Sequence, residues 1–208
     1  MIFKDRFQAA KLLARNLQKY KNSKDTIIVA LPTGGVPLAY EMSKELNLPF
    51  TIFFVKKIPS PFNKEVAIGA VSENGFIYKN HDVIDILGIS YKYIEDSAKY
   101  ILDKIEEKKK LYKVKPIDLK KKRVILVDDG IATGSTIILA IVALKKKECV
   151  KEVIVASPVA APDSVDLIKS LADRVEILLI PKNFSAVGAY YQRFHQLSDE
   201  EVIELLKD

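Results

Sequence analysis

The stretch that decides the fold is residues 124–136, Val124-Ile125-Leu126-Val127-Asp128-Asp129-Gly130-Ile131-Ala132-Thr133-Gly134-Ser135-Thr136. Four apolar residues lead directly into two adjacent carboxylates, and a turn of small residues then opens a helix predicted over residues 135–146. A short, uninterrupted apolar strand that leads into a helix is typical of a parallel sheet covered by helices on both faces. The stretch therefore predicts an α/β fold.

Strands and helices alternate through the rest of the chain in the same way. Apolar residues three and four apart between Phe3 and Leu17 predict an amphipathic helix at the start. Asn74-Gly75 predicts a hairpin between 66–72 and 76–78, because Asn-Gly suits the positive φ of tight turns. The remaining predicted elements are strands over 26–31, 50–55, 123–127, 153–156 and 175–180, helices over 36–46, 91–112 and 162–171, and a last short helix after the capping-box pair Ser198 and Glu201.

These elements fit one domain over residues 1–208, with a central parallel sheet flanked by helices. We expect the N-terminal helix and residues 181–208 to lie outside the core sheet and to form a small hood. Residues 56–65 contain two prolines and few apolar anchors, which predicts a long mobile loop. Ligands of such sheets bind beyond the carboxyl ends of the strands, so the loops there are the candidates for a site.

Composition narrows the class of function. The chain has 33 basic and 27 acidic residues, a net charge of +6, and its lysine runs are scattered over several helices. A scattered charge excess favours a small-molecule ligand over nucleic acid. The single Cys149 excludes an intrachain disulfide, and His81 and His195 lack metal-ligand spacing. No apolar run approaches the roughly 20 residues of a membrane span, and no signal-peptide pattern opens the chain, so we expect a cytoplasmic protein.

The 128–136 loop carries the chemistry. Backbone N–H groups and hydroxyls at a helix N-terminus form a cradle for phosphate. Two carboxylates beside it can accept hydrogen bonds from sugar hydroxyls, so the loop favours a sugar phosphate. It lacks the lysine of a Walker A loop and the spacing of a dinucleotide-binding turn. A receiver domain would carry its acid pair at the first strand, and a simply capped helix is the remaining structural interpretation.

This loop resembles the binding motif for 5-phosphoribosyl 1-pyrophosphate (PRPP) of type I phosphoribosyltransferases, an apolar strand, two acids and a Thr-Gly-x-Thr turn. The resemblance implies that Asp128 and Asp129 hold the ribose 2′- and 3′-hydroxyls, assist catalysis and contact a metal indirectly. It places the 5′-phosphate on Ala132, Thr133, Gly134, Ser135 and Thr136. Thr33, Gly34 and Gly35, in Pro-Thr-Gly-Gly-Val-Pro, resemble the family's diphosphate loop, and paired glycines allow close approach of a ligand.

A basic residue after the second core strand is the family's further contact with the diphosphate. Lys57 is predicted to take this catalytic role, with Lys56 beside it on the diphosphate. For either lysine, a solvated strand end is the alternative interpretation. Residues 58–65 match the position of the family's catalytic lid, which would exclude water from the site.

The resemblance extends over nearly the whole chain, including Ala67-Ile68-Gly69-Ala70-Val71 and Phe184-x-x-Val187-Gly188. It implies Mg²⁺-dependent transfer of the phosphoribosyl group from PRPP to a nucleobase-like acceptor with release of pyrophosphate, and it suggests a homodimer. Ala132 stands where members acting on 6-oxopurines often have an aspartate, which argues against that acceptor class. Phe184 and Tyr190 are candidates to stack on the base. Packing in the hydrophobic core of the hood is an equally good interpretation of these two rings.

Two other functions are compatible with the same loop. The first is a non-catalytic PRPP-binding regulator of nucleotide metabolism, because the same fold can serve regulators. The second is a hydrolase of a sugar phosphate, which would consume PRPP with no acceptor present.

Overall fold

The computed structural model describes residues 2–64 and 66–207. These residues form eight strands and seven α-helices, with short 3₁₀ helices at Gln18–Tyr20 and Val187–Tyr190. The strands are β1 (Thr26–Ala30), β2 (Phe50–Ile52), β3 (Val55–Pro59), β4 (Ala67–Ser72), β5 (Ile77–Lys79), β6 (Arg123–Val127), β7 (Glu152–Val159) and β8 (Arg174–Leu179). The helices are α1 (Arg6–Asn16), α2 (Gly35–Leu46), α3 (His81–Leu87), α4 (Tyr91–Tyr112), α5 (Ser135–Lys146), α6 (Pro162–Leu171) and α7 (Asp199–Lys207).

The central sheet has five parallel strands in the order β2-β1-β6-β7-β8, which confirms the predicted α/β fold. Alternate residues of each strand pack against opposite helix layers. Ile28 and Ile125 belong to the core beneath α1 and α2, whereas Val29 and Leu126 pack with α5 and α6. Because both faces are covered, the strands are apolar at nearly every position.

A second, antiparallel sheet of order β3-β4-β5 corrects two predictions. The predicted strand over 50–55 is wrong, because β2 ends at Ile52 and β3 starts a new sheet at Val55. The Phe53 amide makes its bond to Ala30 of the central sheet, while the Phe54 amide donates to the Glu73 carboxylate at 2.7 Å. The chain changes sheets between these two residues.

The predicted mobile loop over 56–65 is wrong over its first four residues, which belong to β3 and pair with β4. Ile58 is buried there, while Lys56 and Lys57 are both exposed. Because buried and exposed residues do not alternate, the local sequence did not indicate a strand, and pairing with β4 stabilises it. Glu65, the last residue of the predicted loop, lies outside the described residues.

Most other elements agree with the sequence. The helices α4, α5 and α6 and strand β6 have the predicted bounds, and the predicted hairpin joins β4 to β5 with Gly75 at φ 76°. Helix α3 was not predicted, although Asn80 caps its N-terminus and Gly88 ends it in the left-handed conformation. The capping box is confirmed, since Ser198 and Glu201 exchange backbone-to-side-chain bonds at the start of α7. No helix in the described part of the chain is long and apolar enough to cross a membrane.

Candidate functional site

The 128–136 loop lies at the carboxyl end of β6 and is bonded on both sides. On one side the Leu31 amide, after β1, donates to the Val127 carbonyl at 3.0 Å. On the other, Ile131 donates to Val159 at 2.9 Å and accepts from Ala161 at 2.8 Å, which continues the pairing with the end of β7. The loop is therefore held in place by the two neighbouring strands.

The second half of this loop forms an open cradle. Gly134 adopts the left-handed conformation at φ 74° and is the N-cap of α5, with no side-chain cap on the helix. The first amides of a helix have no partner within the helix and can serve a ligand. The Ser135 amide has a long contact of 3.5 Å with Thr133 Oγ1. The Thr133 and Ser135 hydroxyl oxygens lie 3.1 Å apart beside them. A cavity of about 180 Å³ is lined by Asp128 and residues 130–137.

The two adjacent carboxylates have different surroundings. Asp128 lines the cavity, and its Oδ1 accepts a hydrogen bond from the Asp129 amide at 2.9 Å. Asp129 Oδ2 accepts a hydrogen bond from Nε of Arg6 at 2.8 Å, and Nη2 of Arg6 lies 2.8 Å from the same oxygen as an ion pair. Burial raises the pKa of Asp128, and the charge of Asp129 adds to this effect. Burial also raises the pKa of Asp129, but the Arg6 guanidinium opposes that rise.

The 32–35 loop packs directly onto this pair. A methyl group added to Gly34 would lie 2.2 Å from Asp129 Oδ2, and one added to Gly35 would lie 2.5 Å from the Val127 carbonyl oxygen. The peptide bond between Pro32 and Thr33 is cis. The Gly35 amide donates to the Leu31 carbonyl at 2.9 Å. The paired glycines are therefore needed for the close approach of the two loops.

Gly34→Ala is expected to lower the free energy of unfolding by about 1–3 kcal/mol, the usual range for overpacking a tight site. The new methyl overlaps the Asp129 carboxylate, which cannot swing aside without leaving Arg6. Urea denaturation followed by circular dichroism measures the change. An unchanged midpoint and slope would show that the carboxylate moves away at no cost, contrary to this expectation.

The C-terminal tail, residues 181–198, covers the far side of the acid pair. The Tyr191 hydroxyl donates to the Asp129 carbonyl. Val187 packs against Gly130 so closely that a methyl group added to Gly130 would lie 2.3 Å from Cγ1 of Val187. The backbone of Phe3 pairs with Tyr190 and Gln192 of the tail, so the N-terminal segment joins the same cover. This arrangement places the N-terminal segment and the tail next to the acid pair.

Arg6 is the residue of this site that the sequence did not reveal to us. Its side chain is buried, and its position in α1 shares a face with Ala10, Leu13 and Leu17. A charged residue on the apolar face of an amphipathic helix is a signal for a buried partner. That signal was present in the sequence, but the partner, Asp129, was not identifiable from it.

Four other predicted site residues are carried by β3 and by the C-terminal tail. Lys56 and Lys57 line another cavity, of about 770 Å³, beside Tyr93 and Tyr100 of α4. The rings of Phe184 and Tyr190 stack on each other with centroids 5.7 Å apart, so each ring already covers one face of the other. The acid pair, the hydroxyl cradle and the 32–35 loop are brought together by direct contacts. The two lysines and the stacked ring pair are not among the residues that line the cavity at the 128–136 loop.

Comparison with protein families matches this architecture to a known group. Residues 2–192 match the family described as the phosphoribosyl transferase domain. A Mycobacterium tuberculosis protein, named as a proposed phosphoribosyl transferase, is 32% identical over 207 residues, which cover 99% of this chain and 46% of that protein. The chain thus spans about half the length of the curated relatives that it matches.

Solved structures share the fold of this chain. A protein of Thermus thermophilus is 34% identical with a TM-score of 0.85, covering 99% of this chain and 98% of that one. A purine phosphoribosyltransferase of Pyrococcus horikoshii shares the fold at 20% identity and a TM-score of 0.50, covering 91% and 90% of the two chains.

Proposed function

Because the chain belongs to the phosphoribosyltransferase family, we propose that it transfers the 5-phosphoribosyl group of PRPP to a nitrogenous base and releases pyrophosphate. The observation that carries the proposal is the 128–136 loop, in which a carboxylate and an uncapped, hydroxyl-rich helix N-terminus line one cavity. A sugar phosphate presents the matching pair of groups, hydroxyls at one end and a dianion at the other.

The cradle receives the 5′-phosphate in this proposal. The residues assigned to it are Ala132, Thr133, Gly134, Ser135 and Thr136. Their amides and hydroxyls donate to the phosphate oxygens, and the α5 macrodipole favours the negative charge. Gly134 is needed for its positive φ, which turns the loop into the helix.

Asp128 and Asp129 bind the ribose hydroxyls and stabilise the positive charge that develops on the ring as the C1–diphosphate bond breaks. The 32–35 loop binds the leaving diphosphate. Because the Gly35 amide already donates to Leu31, we assign donation to the Thr33 and Gly34 amides and close packing to Gly35. Lys57, with Lys56 beside it, remains the proposed cationic partner of the diphosphate. This role requires β3 and the 128–136 loop to approach each other when PRPP is bound.

The residues of the site fit a bound Mg²⁺. Within residues 2–64 and 66–207, no group of three or more His, Cys, Asp or Glu side chains is arranged to hold a metal by itself. Mg²⁺ usually keeps several waters and binds through one or two carboxylates together with substrate phosphates. Asp128 and Asp129 would hold it through water or the ribose hydroxyls. When bound, it would neutralise charge on the leaving diphosphate.

The acceptor site is inferred from Ala132 and the tail. Ala132 is exposed in the cradle and offers no proton-transfer group to an acceptor ring. We therefore propose an acceptor that needs no carboxylate at this position, with the tail as its cover. The stacked pair Phe184 and Tyr190 supplies an aromatic surface there.

Calorimetric titration of Mg²⁺·PRPP into the protein tests the proposal. Saturable binding is expected, with ribose 5-phosphate binding more weakly and inorganic phosphate more weakly still. A folded protein that binds none of the three contradicts the proposal. If PRPP binds, pyrophosphate release is assayed with a panel of nucleobases; binding without release by any base would favour a PRPP-binding regulator, and consumption without a base would favour a hydrolase.

A further inference from the structure

We propose that Arg6 is a positioning residue of the ribose site, which holds Asp129 by one carboxylate oxygen so that the other faces the ligand. This inference rests on the proposed function. It adds to that function a residue of α1, far from the loop in sequence.

The guanidinium of Arg6 is almost fully engaged. Nε donates to Asp129 Oδ2, Nη2 forms an ion pair with the same oxygen at 2.8 Å, and Nη1 donates to the His195 carbonyl at 3.0 Å. Its central carbon lies 4.0 Å from the centroid of the Phe194 ring. The side chain is only 8% exposed. A planar donor fork fixed on three sides can hold a carboxylate in one orientation, which a flexible ammonium cannot do as well.

All of these Arg6 bonds to Asp129 fall on Oδ2. The second oxygen, Oδ1, carries no bond to Arg6 and is the atom proposed to accept from a ribose hydroxyl. Gly34 packs against the same carboxylate and limits its rotation from the side of the diphosphate loop. Arg6 and Gly34 together therefore restrict the rotation of the Asp129 carboxylate.

A purely structural role would be to dock the tail on α1, and another ion pair already does this. Arg193 of the tail binds Asp5, the N-cap of α1, at 2.7 Å, and its side chain is 64% exposed. This pair also joins the tail to α1, but neither of its side chains is bonded to the 128–136 loop. Arg193→Gln is therefore the matched control for Arg6→Gln.

The test compares ligands that share a phosphate but differ in the ribose. Arg6→Gln is expected to raise the Kd for PRPP and for ribose 5-phosphate by roughly tenfold or more, because one charged acceptor is no longer oriented. The Kd for inorganic phosphate, which needs only the cradle, is expected to stay unchanged. Arg193→Gln should leave all three values at the wild-type level. Arg6→Lys keeps the charge without the fork and should give an intermediate loss.

A double-variant cycle with Asp129→Asn gives a second readout. The loss of ribose 5-phosphate binding in Arg6→Gln/Asp129→Asn should be no greater than in Asp129→Asn alone, since Arg6 acts through Asp129. Equal losses for phosphate and for the ribose ligands, or no loss in Arg6→Gln, would overturn the positioning role. Absence of PRPP binding by the wild-type protein would instead overturn the proposed function itself. Circular dichroism shows whether each variant is folded. If Arg6→Gln does not fold, Arg6→Lys takes its place in the comparison.

Discussion

Asp128→Asn is expected to raise the Kd for Mg²⁺·PRPP by roughly 10- to 150-fold, the cost of losing a hydrogen bond to a charged acceptor. Asp128 is the carboxylate that lines the cavity beside the cradle, and its Oδ1 already accepts from the Asp129 amide. Asparagine preserves the shape and one acceptor oxygen but not the charge that the proposed mechanism uses. Titration calorimetry measures the change, with ribose 5-phosphate as a second ligand.

The same substitution should not destabilise the fold at neutral pH. Burial and the neighbouring Asp129 raise the pKa of Asp128, so the folded state binds this proton more tightly than the unfolded chain does. Protonated Asp128 therefore contributes to the free energy of unfolding at low pH. This contribution is lost as the pH rises from the pKa of Asp128 in the unfolded chain through its raised pKa in the folded protein. Asparagine does not titrate, so the free energy of unfolding of Asp128→Asn, relative to that of wild type, should increase as the pH rises.

Urea denaturation at acidic and at neutral pH measures that difference. Asp166→Asn, which removes an exposed carboxylate from α6, is the control for the change in net charge. Retained PRPP affinity in Asp128→Asn would remove Asp128 from the ribose site. Weaker binding together with a large loss of stability would assign it a structural role instead.

The parts of the fold that the sequence predicted correctly are those fixed by local signals. Strand β6, its acid pair and helix α5 follow one another in the predicted positions, because the apolar run, the turn residues and the helix start are all local. The sheet change after β2 was missed because it depends on Glu73, nineteen positions along the chain, which takes the Phe54 amide out of the central sheet. Periodicity within 50–55 contains no sign of that bond.

The candidate site divides in the same way. The loop residues and the paired glycines could be predicted, since each has a local conformation or a local chemical pattern. Arg6 could not be assigned to the site because its partner, Asp129, is 123 positions away and the contact exists only after α1 packs across the sheet. Lys57 was placed by analogy at the end of a core strand, whereas the chain carries it into β3 of the second sheet.

Asp129→Ala is expected to reduce the free energy of unfolding by roughly 3–5 kcal/mol, the usual cost of removing one partner of a buried ion pair. The side chains of Arg6 and Asp129 are only 8% and 14% exposed, so the guanidinium left behind would be buried without its counter-charge. Arg193→Ala breaks the exposed pair with Asp5 and should cost no more than about 1 kcal/mol. Urea denaturation of both variants and of wild type measures the contrast.

A compensated variant separates the cost of a stranded charge from the value of the pair. Arg6→Met/Asp129→Asn removes both charges of the buried pair and keeps an apolar side chain against Phe194, so it should recover much of the stability lost in Asp129→Ala. PRPP binding should not recover with it, because the oriented carboxylate is absent. If the compensated variant were as unstable as Asp129→Ala, the pair itself would be a net source of stability. If it bound PRPP like wild type, Asp129 would be a structural partner of Arg6 and Asp128 alone would hold the ribose.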